Sequence, residues 1–120
     1  LTHAVCDALL GAVAEGDIGK HFPDSELQWK GVSSIFLLEK VRDLIAKKGF
    51  AVVNIDATII AQSPKLAPFI PEMITNIAIS SGCPQNAVNI KATTEEGLGF
   101  TGKGEGIAAH CVCLLKAKEG

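Results

Sequence analysis

Hydrophobic residues along the chain fall into stretches with a helical period and stretches with a strand period. Leu1, Val5, Ala8, Leu9, Ala12 and Val13 share one helical face, and Gly16-Asp17-Ile18-Gly19 ends that helix. A loop follows through Lys20-His21-Phe22-Pro23-Asp24, with Trp29 and Gly31 further along it. Leu37, Leu38, Val41, Leu44 and Ile45 recur at helical spacing, which predicts a second helix from a Ser33 or Ser34 cap to about Lys48, closed by Gly49. Phe50 to Gln62 reads as a strand, with Val53, Ile55, Ala57 and Ile59 on one face and Asn54, Asp56, Thr58 and Ile60 on the other. Ser63-Pro64-Lys65 stops it and leaves Lys65 on a loop, where an ammonium can reach an anion. Pro68 to Ser81 reads as a third helix with Pro71 in its first turn, capped by Gly82 and kept from continuing by Pro84. Val88 to Ala92 and Ile107 to Leu115 read as two further strands.

This order predicts one α+β domain across residues 1–120, with a mixed β-sheet and helices packed on one face. The length suffices for a real core.

The chemistry concentrates between the last two strands. Thr93 and Glu96 fit the capping box that opens a helical turn, and five glycines follow in the ten residues from Gly97 to Gly106. Free amides, two hydroxyls and a glycine-rich backbone make an anion cradle. An acidic residue in the same turn repels phosphate unless a divalent cation lies between them, so Glu96 points to phosphate bridged by magnesium or manganese. The same letters also fit a capped turn followed by a flexible loop. Gly97, Gly99 and Gly102 match the dinucleotide fingerprint, but only Lys103 to Gly106 separates them from a strand, with no room for the long helix that motif opens. A dinucleotide fold is excluded.

Charge and composition narrow the classes. A net charge of −2 gives no basic footprint for nucleic acid or a membrane surface, and no apolar run reaches the ~18 residues of a membrane helix. Cys6, Cys83, Cys111 and Cys113 form no C-x-x-C pair and read as small hydrophobes in a reducing compartment. His3 and Asp7 lie one turn apart, as a metal ligand with its neighbour or as a surface His–Asp pair. Asp17 sits between flexible residues where its carboxylate can face a ligand; His21 reads as a solvated loop residue and Asp24 as a turn residue.

Several spaced motifs carry a resemblance over nearly the whole chain. They are His3-Ala4 with Asp7 to Gly11; Gly16 to Gly19; Phe22-Pro23-Asp24 with Lys30-Gly31; Asn54 with Asp56; Ile60-Ala61-Gln62 with Pro64-Lys65; Asn89 to Thr94; and Leu98 to Gly102 with Gly104 to Gly106. In that order they resemble the 2-C-methyl-D-erythritol 2,4-cyclodiphosphate synthase family of the non-mevalonate isoprenoid pathway. The resemblance implies a homotrimer with active sites at subunit interfaces, in a bacterial cytoplasm or a plastid stroma. It also implies a metal-assisted intramolecular phosphoryl transfer on a cytidine diphosphate substrate, with release of CMP.

By the same resemblance His3 is a Zn2+ ligand and Glu96 holds a Mg2+ or Mn2+ ion bridging the phosphates. Asp17, Ile18 and Gly19 contact the sugar part, and Phe22 and Asp24 pack on the erythritol end. Ala61, Gln62, Ser63, Pro64, Lys65, Leu66 and Ala67 form a cytidine and phosphate pocket supplied by a neighbouring subunit. Thr93, Thr94, Glu95 and Glu96 form the phosphate turn, with Thr94 stabilising transition-state charge beside Lys65. Phe100 and Lys103 line the loop near the phosphates and the trimer axis.

Three departures qualify the match. Glu95 replaces a small hydroxyl residue and is expected to face solvent. Lys103 replaces arginine and loses its bidentate geometry. The family's Asp-x-His pair and His-Ser loop, which complete the zinc site, are absent from the sequence. The expectation is therefore that the native protein carries about 35–40 further residues before Leu1. The 120-residue chain itself is expected to bind zinc weakly and to cyclise no substrate. A non-catalytic phosphate- or nucleotide-binding trimer is the second reading, and zinc content separates the two.

Overall fold

A computed structural model describes residues 1–23, 33–61, 65–94 and 107–118. The elements are α1 (Thr2–Ala12), α2 (Ile18–His21), α3 (Ser34–Lys47), β1 (Phe50–Ile60), α4 (Ile70–Ser81), β2 (Val88–Thr93) and β3 (Ala108–Ala117). Short 3₁₀ turns over Ala67–Phe69 and Gln85–Ala87 precede α4 and β2.

The strands form a mixed sheet in the order β2-β1-β3, with β2 parallel and β3 antiparallel to β1. One face carries Ile55, Ala57 and Ile59 of β1 with Val88 and Ile90 of β2, all buried. Helices α1, α3 and α4 cover it and add Val5, Leu9, Leu38, Val41, Ile45 and Ile77 to a single core. The opposite face stays open and presents Asn54, Asp56, Asn89, Lys91, Val112 and Leu114. The predicted α+β class and the mixed sheet are thus found.

Local signals account for most boundaries. Ser33 accepts from the Phe36 amide and caps α3. Gly82 ends α4 at φ 73°, and a Cβ added there would come within 3.2 Å of Arg42 Cδ.

Four expectations are corrected. Gly16 to Gly19 does not simply end α1, because Ile18 to His21 form a helical turn of their own. Val53 is 38% exposed whereas Val52 is 8% exposed. A bulge between Val52 and Asn54 adds one residue and reverses the alternation there. On α1, Cys6 and Leu10 are buried while Ala12 is exposed, since the helix packs against both β3 and α3 and needs a wider apolar stripe. β1 ends at Ile60 rather than Gln62, and the helical turn expected after Thr93 lies outside the described residues.

The cysteines are unpaired. Burial pushes the Cys6 thiol up to about 12 and the half-buried Cys111 thiol up to about 11, so both behave as apolar packing groups.

Candidate functional site

Because β1 and β2 are parallel, their C-terminal ends open on the same side of the sheet, the usual place for a ligand in such sheets. Ile60 stands opposite Thr93, and the Ala61 amide donates to the Thr93 carbonyl at 3.0 Å. The 3₁₀ turn at Ala67–Phe69, tied by the Phe69 amide to the Leu66 carbonyl at 2.9 Å, brings Lys65 to Ala67 beside these ends. A pocket of about 310 Å³ results, lined by Ala61 and Lys65 to Ala67 on one side and Ala92 to Thr94 on the other.

Two sequence stretches about thirty residues apart therefore meet in one chain. Among the described residues no carboxylate forms an ion pair with Lys65. Gln62, Ser63 and Pro64, which join Ala61 to Lys65 in sequence, lie outside the described residues, as do Glu95, Glu96, Phe100 and Lys103.

A second group of candidate site residues surrounds α2. Asp17 caps this turn, accepting from the Lys20 amide through Oδ1 at 2.9 Å. Its other carboxylate oxygen is not engaged in that cap and can accept from a ligand hydroxyl. A Cβ on Gly19 would stand 3.4 Å from Asp17 Oδ1, so this position lies directly against the carboxylate. Phe22 closes the turn, its amide donating to the Ile18 carbonyl at 2.7 Å. Asp24 lies outside the described residues. None of Asp17, Gly19 or Phe22 lines the Lys65 pocket.

His3 is exposed on α1, one turn before Asp7. Asp7 does not pair with it. Asp7 Oδ1 accepts from the Ile18 amide at 2.9 Å instead. No group of three or more His, Cys, Asp or Glu suited to a metal occurs among the described residues. A catalytic zinc takes about three protein ligands, and the described residues, His3 included, do not complete such a site.

Residues 1–116 match the YgbB family. The chain belongs to that family. It is 57% identical over 118 residues to the 2-C-methyl-D-erythritol 2,4-cyclodiphosphate synthase of Clostridium novyi (strain NT), covering 98% of this chain and 75% of that one. It is 61% identical over 115 residues to the enzyme of the same name from Agathobacter rectalis, covering 96% of this chain and 65% of that one. Among solved structures it resembles the bifunctional IspDF of Campylobacter jejuni, with a TM-score of 0.92 and 42% identity over 98% of this chain and 32% of that one. It also resembles the CDP complex of Plasmodium falciparum IspF, with a TM-score of 0.86 and 31% identity over 98% of this chain and 70% of that one.

Within this YgbB-family chain, three polar side chains hold positions that their local sequence does not reveal. His21, read as a solvated loop residue, is half-buried and bonds through Nε2 to the Glu15 carbonyl at 2.6 Å. Glu15 pairs with Lys48, whose hydrogen bond holds the Glu15 carboxyl below its ordinary value. On the open face, Asp56 accepts from Lys91 and from Asn89 across the β1–β2 pair. The signal for Asp56 and Lys91 was polar residues at alternate strand positions, which has no content until the register is known.

Proposed function

We propose that this chain belongs to an enzyme converting 4-diphosphocytidyl-2-C-methyl-D-erythritol 2-phosphate to 2-C-methyl-D-erythritol 2,4-cyclodiphosphate, with release of CMP, in bacterial isoprenoid biosynthesis. The observation that carries this reading is the pocket joining Lys65 to Thr93 and Thr94 at the ends of two parallel strands. Relatives named for this synthase, and a related fold solved with CDP, give the pocket its ligand class.

In the reaction an oxygen of the 2-phosphate attacks the β-phosphorus of the same molecule. The bond from that phosphorus to the bridging oxygen breaks, and CMP leaves with the electron pair. Such a transfer depends on alignment and on neutralising charge on the phosphoryl oxygens. Lys65 places a positive charge beside the diphosphate, and the Thr93 and Thr94 hydroxyls donate to oxygens whose charge grows in the transition state. Asp17 and Gly19 hold the sugar, with Phe22 and Asp24 against its erythritol end. A divalent ion at Glu96, and a zinc ion with His3 as one ligand, would act as Lewis acids on the phosphates. The described residues complete neither site.

A homotrimer with interfacial sites reconciles the two half-sites. α2 and the Lys65 pocket share no lining within one chain, so α2 of one copy would face the Lys65 pocket of the next. Since Lys65 and Thr94 line the same pocket, a neighbouring subunit that supplies one supplies both. The open sheet face offers an apolar surface for packing, with Val112 72% and Leu114 58% exposed. No helix among the described residues is long and apolar enough to cross a membrane, and a cytoplasmic location is part of the proposal.

Calorimetry with CDP tests the pocket. Lys65→Ala is expected to weaken CDP by roughly 1–3 kcal/mol, the range for a lost charge-assisted hydrogen bond. Unchanged affinity would reduce Lys65 to a solvated loop residue. CDP binding with no CMP release from the substrate, with zinc supplied, would leave a nucleotide-binding trimer in place of an enzyme.

A further inference from the structure

The one-turn helix α2 is too short to hold its own shape, since a single turn fixes several backbone dihedrals for almost no internal hydrogen bonding. It is held from outside at both ends. At its start the Ile18 amide donates to Asp7 Oδ1 on α1 at 2.9 Å, across eleven residues of sequence. At its end His21 Nε2 lies 2.6 Å from the Glu15 carbonyl, in the turn that leaves α1. A carbonyl only accepts, so this nitrogen carries a proton and donates. Glu15 is itself anchored to Lys48 just beyond α3, and its carboxylate lies 3.8 Å from His21. Gly19 lies between the two clamps, Asp17 directly precedes the first, and Phe22 directly follows the second.

We infer that Asp7 and His21 are positioning residues for the sugar end of the substrate, acting through α2 rather than touching substrate or metal. This deepens the proposed function and rests on its assignment of Asp17 and Gly19 to the sugar. The Asp7 carboxylate is turned to the Ile18 amide, which is the geometry of a backbone brace and not of a partner for His3. His21 braces the opposite end through an Nε2–H donor to the Glu15 carbonyl. Without either brace, Asp17 keeps its own cap but loses its fixed placement relative to α1.

The test compares two ligands. CDP occupies the Lys65 pocket, which shares no lining residue with α2, whereas the complete substrate also engages the sugar end. In Asp7→Ala and in His21→Ala, affinity for the complete substrate falls roughly tenfold while CDP affinity holds, as for loss of one ordering hydrogen bond. Asp7→Asn keeps a side-chain oxygen able to accept from Ile18 and restores substrate affinity to within about threefold of the parent. Equal losses for CDP and substrate, or no loss for either, overturn the inference. So does an Asp7→Asn variant as impaired as Asp7→Ala, because the negative charge and not the acceptor is then what matters. A parent chain that binds neither ligand sinks the proposed function instead. The brace is then decided by amide hydrogen exchange: faster exchange confined to Ile18–His21 in Asp7→Ala keeps it, and unchanged exchange overturns it.

Discussion

Lys91 Nζ lies 2.7 Å from Oδ1 and 2.8 Å from Oδ2 of Asp56, joining the parallel strands β2 and β1 on the open face of the sheet. Asn89, directly opposite Asp56 in the register, adds a third hydrogen bond at 3.1 Å. Lys91 itself stands opposite Thr58, so the ion pair runs diagonally between neighbouring positions. The hydrogen bonds from Lys91 first and Asn89 second hold the Asp56 carboxyl below its ordinary value of 3.8.

The sign of the pH dependence follows. A carboxylate whose value is lowered by folding stabilises the fold fully above its unfolded value, and that stabilisation is lost as pH falls through the lower folded value. Asp56→Asn is therefore expected to melt slightly below the parent near neutral pH. The gap should close as pH drops below 3.8. Because the pair is exposed to solvent, the effect is small and shrinks with added salt. Melting curves at several pH values check this; a gap that widens in acid would contradict the assignment.

The bulge in β1 makes neighbouring valines unequal. Val52→Ala removes methyl groups from the core and should cost about 1–3 kcal/mol in denaturant unfolding. Val53→Ala, on the solvent side of the bulge, should stay within about 0.5 kcal/mol of the parent. Reversed costs would mean that the strand alternates regularly through this point.

Substituting Thr94 tests whether binding and chemistry separate. If its hydroxyl stabilises charge that appears only in the transition state, Thr94→Val lowers kcat by roughly 10²–10³-fold. CDP affinity should change little. CMP release and calorimetry measure the two effects, and a loss of CDP affinity matching the loss of kcat would make Thr94 a simple binding residue.

Zinc provides a direct check on His3. One exposed imidazole, with Asp7 turned to Ile18, gives a weak site, so the 120-residue chain dialysed against micromolar zinc should retain well under one ion per chain. Elemental analysis decides it. Stoichiometric zinc that survives His3→Ala would show that a different ligand set exists.

Elements whose signals are local were legible in the amino-acid order. α3 follows from Leu37, Leu38, Val41 and Ile45 at helical spacing behind the Ser33 cap, and α4 ends where Gly82 supplies the left-handed conformation. The alternation of Val88 and Ile90 marks β2, because side chains on a strand point to opposite faces in turn. The candidate site residues Lys65, Thr93 and Thr94 were proposed from their order along the chain and their resemblance to a family. Their spacing alone did not bring them together. That required β1 and β2 to lie parallel in one register, with Ile60 beside Thr93, so that two distant stretches open on one pocket. The same register decides that Asp56 meets Lys91. The bulge decides that Val52 points inward. The packing of α1 against both β3 and α3 decides that Cys6 and Leu10 are buried, and the return of α2 onto α1 turns Asp7 to Ile18. Periodicity reports the environment averaged along one element, whereas a register, a bulge or a brace is a choice between partners far apart in sequence, made by the free energy of the whole fold.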